Sequence, residues 1–243
     1  MVLIQKWFLI GYMVNEWLVK SAQKYNKQSL ENKDGYPAFI LLPITTLEKI
    51  LNWTFESLPD EILVGMDPNP KNQNPKKVED LYRGVNFQNK LFAGQGYILG
   101  EPHLVNRGDA FSVHHVPEEW NDGIFGEERG VRGGRFTTWL HTHPNAPAIP
   151  SMADADAAQW TEGCDMILGV KFSPEGYLPW IDGIGGTRRK LSPEEIDRKR
   201  DDLKPHIGTA ITGHKIHELE LISFHKRGFG INIVLTDNEG NHI

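Results

Sequence analysis

The sequence predicts an α/β sandwich, a mixed β-sheet flanked by helices. Three observations carry this. Short apolar runs with strand character recur from residues 38–42 to residues 230–235. A well-formed amphipathic helix, 45–58, lies among them. Strands and helices alternate without the regular βαβ rhythm of a doubly wound sheet. The chain has 243 residues, 39% of them hydrophobic and 24% charged, the composition of an ordinary globular protein.

Taken in order, residues 1–14 are very apolar. The longest unbroken apolar or glycine stretch, Trp7 to Val14, has eight residues, against the roughly 20 a spanning helix needs. Lys6 is a thin basic flank and Ser21-Ala22-Gln23 a poor cleavage site, so a signal peptide is not favoured. The expectation is an N-terminal amphipathic helix buried on the domain, with docking of residues 1–19 to a membrane or partner subunit as the alternative. Residues 24–36 are polar and read as a linker. A strand follows at 38–42. Thr45-Thr-Leu-Glu48 has the form of a capping box, opening a helix whose Leu47, Ile50, Leu51, Phe55 and Leu58 share one face. Pro59 ends it, and 61–66 reads as a strand.

Residues 67–77 hold three prolines and three asparagines and read as an irregular exposed loop. Residues 96–100 and 110–116 read as neighbouring strands joined by a turn at 106–109. The glycine-rich, charged stretch 120–135 reads as a mobile loop, and 136–140 as a strand. A helix is expected at 151–160, buried strands at 166–172 and 177–184, a charged surface helix at 193–203, and an antiparallel pair, 219–224 with 230–235, around a turn at 226–228. The expected organisation is an N-terminal helix and linker (1–36), a central domain (37–190) and a C-terminal helix and β-pair packed on it (191–243).

Charge and cysteine content narrow the function. With 26 basic and 32 acidic residues the net charge is −6, which argues against gripping nucleic acid by bulk charge. The lone Cys164 forms no intramolecular disulfide, which excludes a disulfide-stapled secreted domain. The expected compartment is the cytoplasm. Any zinc site must use histidine and carboxylate rather than clustered thiolates.

The informative stretch is His141-Thr-His143-Pro-Asn-Ala-Pro-Ala-Ile-Pro-Ser151-Met-Ala-Asp154. Two residues apart at a strand end, His141 and His143 point to the same face. Pro144, Pro147 and Pro150 force an irregular loop. Ser151 then sits at an N-cap position with Asp154 one turn into the helix. If the loop returns the helix N-terminus to the strand end, two imidazoles and a carboxylate converge. Three N/O ligands with a fourth position left open are the pattern of a catalytic zinc.

His-x-His-Pro followed at this distance by Ser-x-x-Asp resembles the metalloprotease motif of the JAMM (MPN+/JAB) family, zinc isopeptidases that remove ubiquitin and ubiquitin-like proteins from conjugates. The flanks agree: Thr138-Trp-Leu140 before the motif, Gly96-Tyr-Ile-Leu-Gly100 upstream, then Phe111-Ser-Val-His-His-Val-Pro117. Residues 38–185 are covered. The resemblance implies a cytidine-deaminase-like MPN sandwich, zinc on His141, His143 and Asp154, an oxyanion-stabilising hydrogen bond from Ser151, and ubiquitin or a ubiquitin-like protein as partner. Moderate length without a eukaryote-style multi-subunit signature points to a prokaryotic member.

One departure concerns the general base. The family glutamate is expected seven residues before the second glycine of the Gly-x-x-x-Gly strand, and that slot holds Ala93. Three alternatives stand: Ala93 replaces a glutamate in an inactivated form, the chain is a natural binding-only relative, or Glu61 is the base. Glu61 directly follows the helix but lies 80 residues before His141, which requires a long insertion. The base would take a proton from the attacking water and pass it to the leaving amine.

The loop 120–135 falls where the family covers the substrate's extended tail, with Trp120, Gly133, Gly134 and Arg135 as its substrate-binding candidates and backbone pairing as the physical route. His114 and His115 are adjacent on a strand and face opposite ways. Asp156 lies about 200° around the helix from Asp154 and reads as solvated. Cys164 reads as a small core residue, and His206, His214 and His217 as surface residues. The competing functions are a zinc isopeptidase, a non-catalytic MPN-type scaffold or ubiquitin-like-protein binder, and a small-molecule or sulfur-carrier hydrolase using the same metal site.

Overall fold

The computed structural model describes residues 15–73, 76–82, 96–113, 136–173, 180–182, 188–190 and 205–243. Within them the protein is mixed α/β, a curled mixed sheet flanked by few helices. The sheet turns on β1 (Phe39–Pro43), which pairs in parallel with β12 (Gly230–Thr236) on one side and with β4 (Tyr97–Leu99) on the other. All five residues of β1 are buried, as an unbroken apolar strand covered on both faces must be. Ile40 and Leu42 join the main core with Leu47, Ile50, Leu51 and Phe55 of α2 (Ile44–Ser57). Phe39 and Leu41 face the other way, against Val78 of α3 (Lys76–Leu81) and Tyr82, whose ring stacks on Phe39 at 4.0 Å between centroids.

The segment expected as a linker at 24–36 is instead largely helix: α1 runs over Glu16–Glu31. Its polar residues misled because two of them are buried as hydrogen-bonding groups rather than solvated. Asn26 donates to the Leu235 carbonyl at 2.7 Å and accepts from the Leu235 N–H at 2.8 Å, while Ser29 donates to the Ile233 carbonyl at 2.6 Å. Leu18 and Ala22 supply the apolar part of the same face. The apolar stretch 1–14 lies outside the described residues. No helix among those described is long and apolar enough to cross a membrane.

The expected capping box at Thr45 does not form. β1 runs straight into α2 with Pro43 at the N-cap, so Thr45 lies inside the first turn. Its hydroxyl donates to Asn238 Oδ1 at 2.6 Å, and Glu48 accepts from the Asn15 N–H at 3.0 Å. Where a loop was expected at 67–77, β3 (Pro68–Gln73) pairs antiparallel with β4 in an irregular register. Its prolines are tolerated because it lies at the end of the sheet, where missing N–H donors cost little.

The strand expected at 110–116 is likewise revised. The chain forms β5 (His103–Arg107) instead, residues 110 and 111 lie in a bend, 112 and 113 are irregular, and 114–116 lie outside the described residues. Asp109 Oδ1 accepts from the N–H groups of Phe111 and Ser112 at 2.8 and 2.9 Å, an Asx turn that ends any extended run. β5 is half-exposed and polar, so its apolar signal is weak. It is not β4's neighbour: it pairs with β2 (Ile62–Met66) at the far end.

The strand order is β3-β4-β1-β12-β11-β7-β6-β2-β5, with β6 (Thr138–Pro144), β7 (Cys164–Ser173) and β11 (Lys215–Phe224) completing the path. β10 (Gly208–Thr209) pairs with β11, and β8 (Trp180–Asp182) with β9 (Arg188–Lys190) form a separate ribbon. The expected pair near the C-terminus thus sits mid-sheet, between β1 and β7. The helix expected at 193–203 and the loop 120–135 lie outside the described residues. His214 is buried rather than at the surface: its ring meets Phe172 edge-on at 4.9 Å and its Nδ1 lies 2.8 Å from the Thr212 hydroxyl.

Candidate metal centre

The histidine motif is arranged by three local features. β6 is parallel to β7 over its whole length, so His141 and His143 emerge on one face at the C-terminal end of a buried strand pair. The chain then turns at Asn145, whose φ of 53° is the left-handed region asparagine tolerates. The turn is tied to β7 through Asn145 N–H to the Val170 carbonyl at 2.8 Å and Phe172 N–H to Asn145 Oδ1 at 2.8 Å. After the proline loop, Ser151 is the N-cap of α4 (Met152–Ala158), with a complete capping box: its hydroxyl accepts from the Asp154 N–H at 3.2 Å, and Asp154 Oδ2 accepts from the Ser151 N–H at 2.6 Å.

This returns Asp154 to the strand end. His141 Nε2 lies 3.0 Å from His143 Nε2 and 3.1 Å from Asp154 Oδ1, and His143 Nε2 lies 3.6 Å from Asp154 Oδ2. The three side chains form the one metal-capable group of His, Cys, Asp and Glu found among the described residues. A tetrahedral ion about 2.0–2.1 Å from each ligand atom requires ligand–ligand edges of roughly 3.3–3.4 Å. The observed separations of 3.0, 3.1 and 3.6 Å bracket that value, with the two imidazoles facing different oxygens of Asp154. His143 Nδ1 lies 2.9 Å from the Pro147 carbonyl, which can only accept, so Nδ1 carries the proton in the neutral ring and Nε2 is the nitrogen left for a metal. Donor types, spacing and the neutral tautomer are compatible with a bound metal ion.

Charge around the triangle is matched. Burial opposes ionisation of Asp154, but hydrogen bonds from His141 and His143 and from the Ser151 N–H hold its carboxyl well below the ordinary range. Burial works against the His143 cation, yet the Asp154 carboxylate, the Pro147 carbonyl and the Glu61 charge together raise it above the usual imidazole value.

Glu61 stands beside this group. β2 pairs antiparallel with β6, with Leu63 opposite His141, and Glu61, immediately before β2, interacts electrostatically with both His143 and Asp154. Thr142 Oγ1 accepts from the Ile62 N–H at 2.9 Å and pins that register. The Glu61 backbone is held on the other side by β5's exit: its N–H donates to the Asp109 carbonyl at 2.9 Å and its carbonyl accepts from the Gly108 N–H at 2.9 Å. Burial pushes the Glu61 carboxyl up to about 7, with His143 and the Val113 N–H pulling it down and Asp154 and Asp109 adding to the rise. Between Glu61 and His141, 80 positions apart, the described residues include β3, α3, β4 and β5.

Ala93, Trp120, Gly133, Gly134 and Arg135 lie outside the described residues, as do His114 and His115. Asp156 is exposed, as expected of a solvated carboxylate. Cys164 is fully buried, and burial raises its thiol to about 12, so it is inert core. The side chains that sequence reasoning missed are supporting ones, Thr142 and Asn145. Asn145 carried a readable signal, a turn-forming residue directly after His-Pro.

Asp165, next to Cys164, is buried, and burial raises its carboxyl to about 7. Thr161 donates to its Oδ1 at 3.2 Å, and its Oδ2 has no hydrogen-bond partner among the described residues. The fold therefore favours the protonated acid. Between about pH 4 and 7 the unfolded chain releases this proton while the folded one keeps it, so stability falls as pH rises through that window. At full ionisation the cost is about 4 kcal/mol. Urea unfolding at pH 5 and pH 8 is expected to show Asp165→Asn gaining on the parent protein at the higher pH. An unchanged difference between the two pH values refutes the assignment.

Compared with known proteins, the chain matches no family model. It is 31% identical over 94 residues to a human MPN domain-containing protein, a stretch covering 35% of this chain and 18% of that protein. A solution structure of a protein from Desulfitobacterium hafniense aligns over 82% of this chain and 94% of its own length, at 13% identity and a TM-score of 0.34. The chain thus combines a stretch similar to an MPN domain-containing protein with a His141, His143, Asp154 cluster compatible with a metallohydrolase.

Proposed function

We propose that this protein is a JAMM-type zinc isopeptidase or peptidase on a cytidine-deaminase-like MPN sandwich, and that it removes or matures ubiquitin or a ubiquitin-like protein. The observation that carries the reading is the meeting of His141, His143 and Asp154 beside the buried carboxyl of Glu61. The similarity to an MPN domain-containing protein supports the MPN-like domain, and the substrate class rests on the motif's resemblance to the JAMM family. His141 and His143 through Nε2 and Asp154 through its carboxylate would hold the zinc. A zinc ion bound there would supply Lewis acidity, acidifying water and polarising the scissile carbonyl.

The chain's own groups divide the remaining work. Glu61, poised near neutrality, takes a proton from the attacking water and delivers it to the leaving amine. Ser151 Oγ accepts from the Asp154 N–H, which leaves its own hydrogen to donate to the developing oxyanion. With Glu61 in that role, the alanine at position 93 does not make the chain inactive. The loop 120–135 would cover the substrate's extended tail, through Trp120, Gly133, Gly134 and Arg135.

The test is zinc content and cleavage together. Purified protein loaded with zinc and dialysed is expected to retain one ion per chain and to cut a ubiquitin-like fusion or an isopeptide-linked conjugate, with activity lost to a chelator. Absence of stoichiometric zinc refutes the metal site. Stoichiometric zinc without cleavage of any such substrate refutes the isopeptidase and favours a binding role.

A further inference from the structure

We propose that Glu220 is a positioning residue for the metal centre, acting on His143 through a single peptide group. This rests on the reading of His143 as a metal ligand. Three residues lie in one row across three strands: His143 on β6 pairs with Gly169 on β7, and Gly169 pairs with Glu220 on β11. The middle residue has no side chain, and the proline loop occupies the space. A Cβ at Gly169 would lie 3.0 Å from Ala148 N and 3.1 Å from the Ala146 carbonyl oxygen, so any side chain there would push the loop outward by a few tenths of an ångström. Glycine lets the loop lie close against the strand between His143 and Glu220.

The loop atoms that bond His143 and Glu220 belong to one amide. The Pro147 carbonyl accepts from His143 Nδ1–H at 2.9 Å, and the Ala148 N–H donates to Glu220 Oε2 at 3.0 Å. Carbonyl and N–H are the two ends of the Pro147–Ala148 peptide bond. A carboxylate on the N–H fixes the plane of that amide and increases the negative charge on its carbonyl oxygen, since resonance couples the two ends. The oxygen becomes a stronger, oriented acceptor for Nδ1–H, which fixes the tautomer and makes Nε2 a better donor to a metal. Histidine ligands ordinarily lean on a carboxylate or carbonyl directly. Here the carboxylate acts one peptide group further out, on a strand not adjacent to the ligand's own.

Glu218 on the same strand provides a control. It binds Lys171 at 2.6 Å on an exposed part of the surface and makes no hydrogen bond to the loop.

The experiment has two arms. The first uses metal-free protein and long-range nitrogen–proton NMR of the His143 ring. The parent is expected to show one tautomer, with the proton on Nδ1. Glu220→Ala is expected to give a mixture, Glu220→Gln to keep the tautomer because its amide oxygen still accepts the Ala148 N–H, and Glu218→Gln to change nothing. The second arm is zinc competition against a chromophoric chelator. An affinity loss of about 10-fold is expected for Glu220→Ala, within the 10–100-fold typical of such outer partners. Glu220→Gln, which lacks the charge, is expected to fall between Ala and the parent.

A folded Glu220→Ala with the parent's tautomer and zinc affinity overturns the proposal. So does Glu220→Gln matching the parent in affinity, which would leave only a structural tie. If the parent protein itself binds no zinc, the metal-site reading fails, and the tautomer arm still decides whether Glu220 orients His143.

Discussion

Glu61→Gln is expected to keep zinc and lose turnover by roughly 10²–10⁴-fold, the usual cost of removing acid–base catalysis. Glutamine matches glutamate in shape and can still accept the Val113 N–H, but it cannot carry a proton between water and leaving group. A buried carboxyl titrating near 7 is matched to that task, because it is neither always charged nor always protonated at working pH. An ordinary surface glutamate would hold its proton too weakly. Single-turnover cleavage measured beside zinc content separates catalysis from folding. Ala93→Glu is expected to leave turnover unchanged. Full activity in Glu61→Gln, or a gain in Ala93→Glu, would transfer the base to position 93.

The second large effect is at Asp154, which has two functions that substitution can separate. Its Oδ1 faces His141 at 3.1 Å, and its Oδ2 faces His143 at 3.6 Å while accepting the Ser151 N–H at 2.6 Å. Asp154→Asn keeps an oxygen for the cap but loses the ligand charge. Asp154→Ala loses both. Each is expected to weaken zinc binding by more than about 100-fold, since the outer partners of a ligand alone are worth 10–100-fold. In metal-free protein only the alanine variant is expected to lose helix-cap stability, about 1 kcal/mol by urea unfolding. Retention of stoichiometric zinc by Asp154→Ala would remove Asp154 from the ligand set.

How much was legible in the sequence followed from how local each feature is. The His141, His143, Ser151, Asp154 set could be read because a strand's period, a proline loop and an N-cap are short-range rules, and all act within 14 residues. β1, α2 and β7 were equally clear, since an apolar run or a 3.6-residue stripe reflects burial directly. Other elements were misread where polar side chains serve the interior. Asn26 and Ser29 bind the backbone of β12, and they look like linker residues until that strand is beside them. β3 and β5 were missed because end strands need few apolar residues.

The sequence by itself determined a metal-capable triad and the cap that orients it. Only the tertiary structure decided which carboxylate stands beside that triad. Counting along the chain points to position 93, which lies outside the described residues. The pairing of β2 with β6 brings Glu61, just before β2, within electrostatic reach of His143 and Asp154 although it lies 80 positions before His141. The pairing of β11 with β7 brings Glu220 to the loop from 72 residues beyond Ala148. Long-range strand register leaves no local trace in sequence, because it is fixed by the burial of whole faces rather than by neighbouring residues.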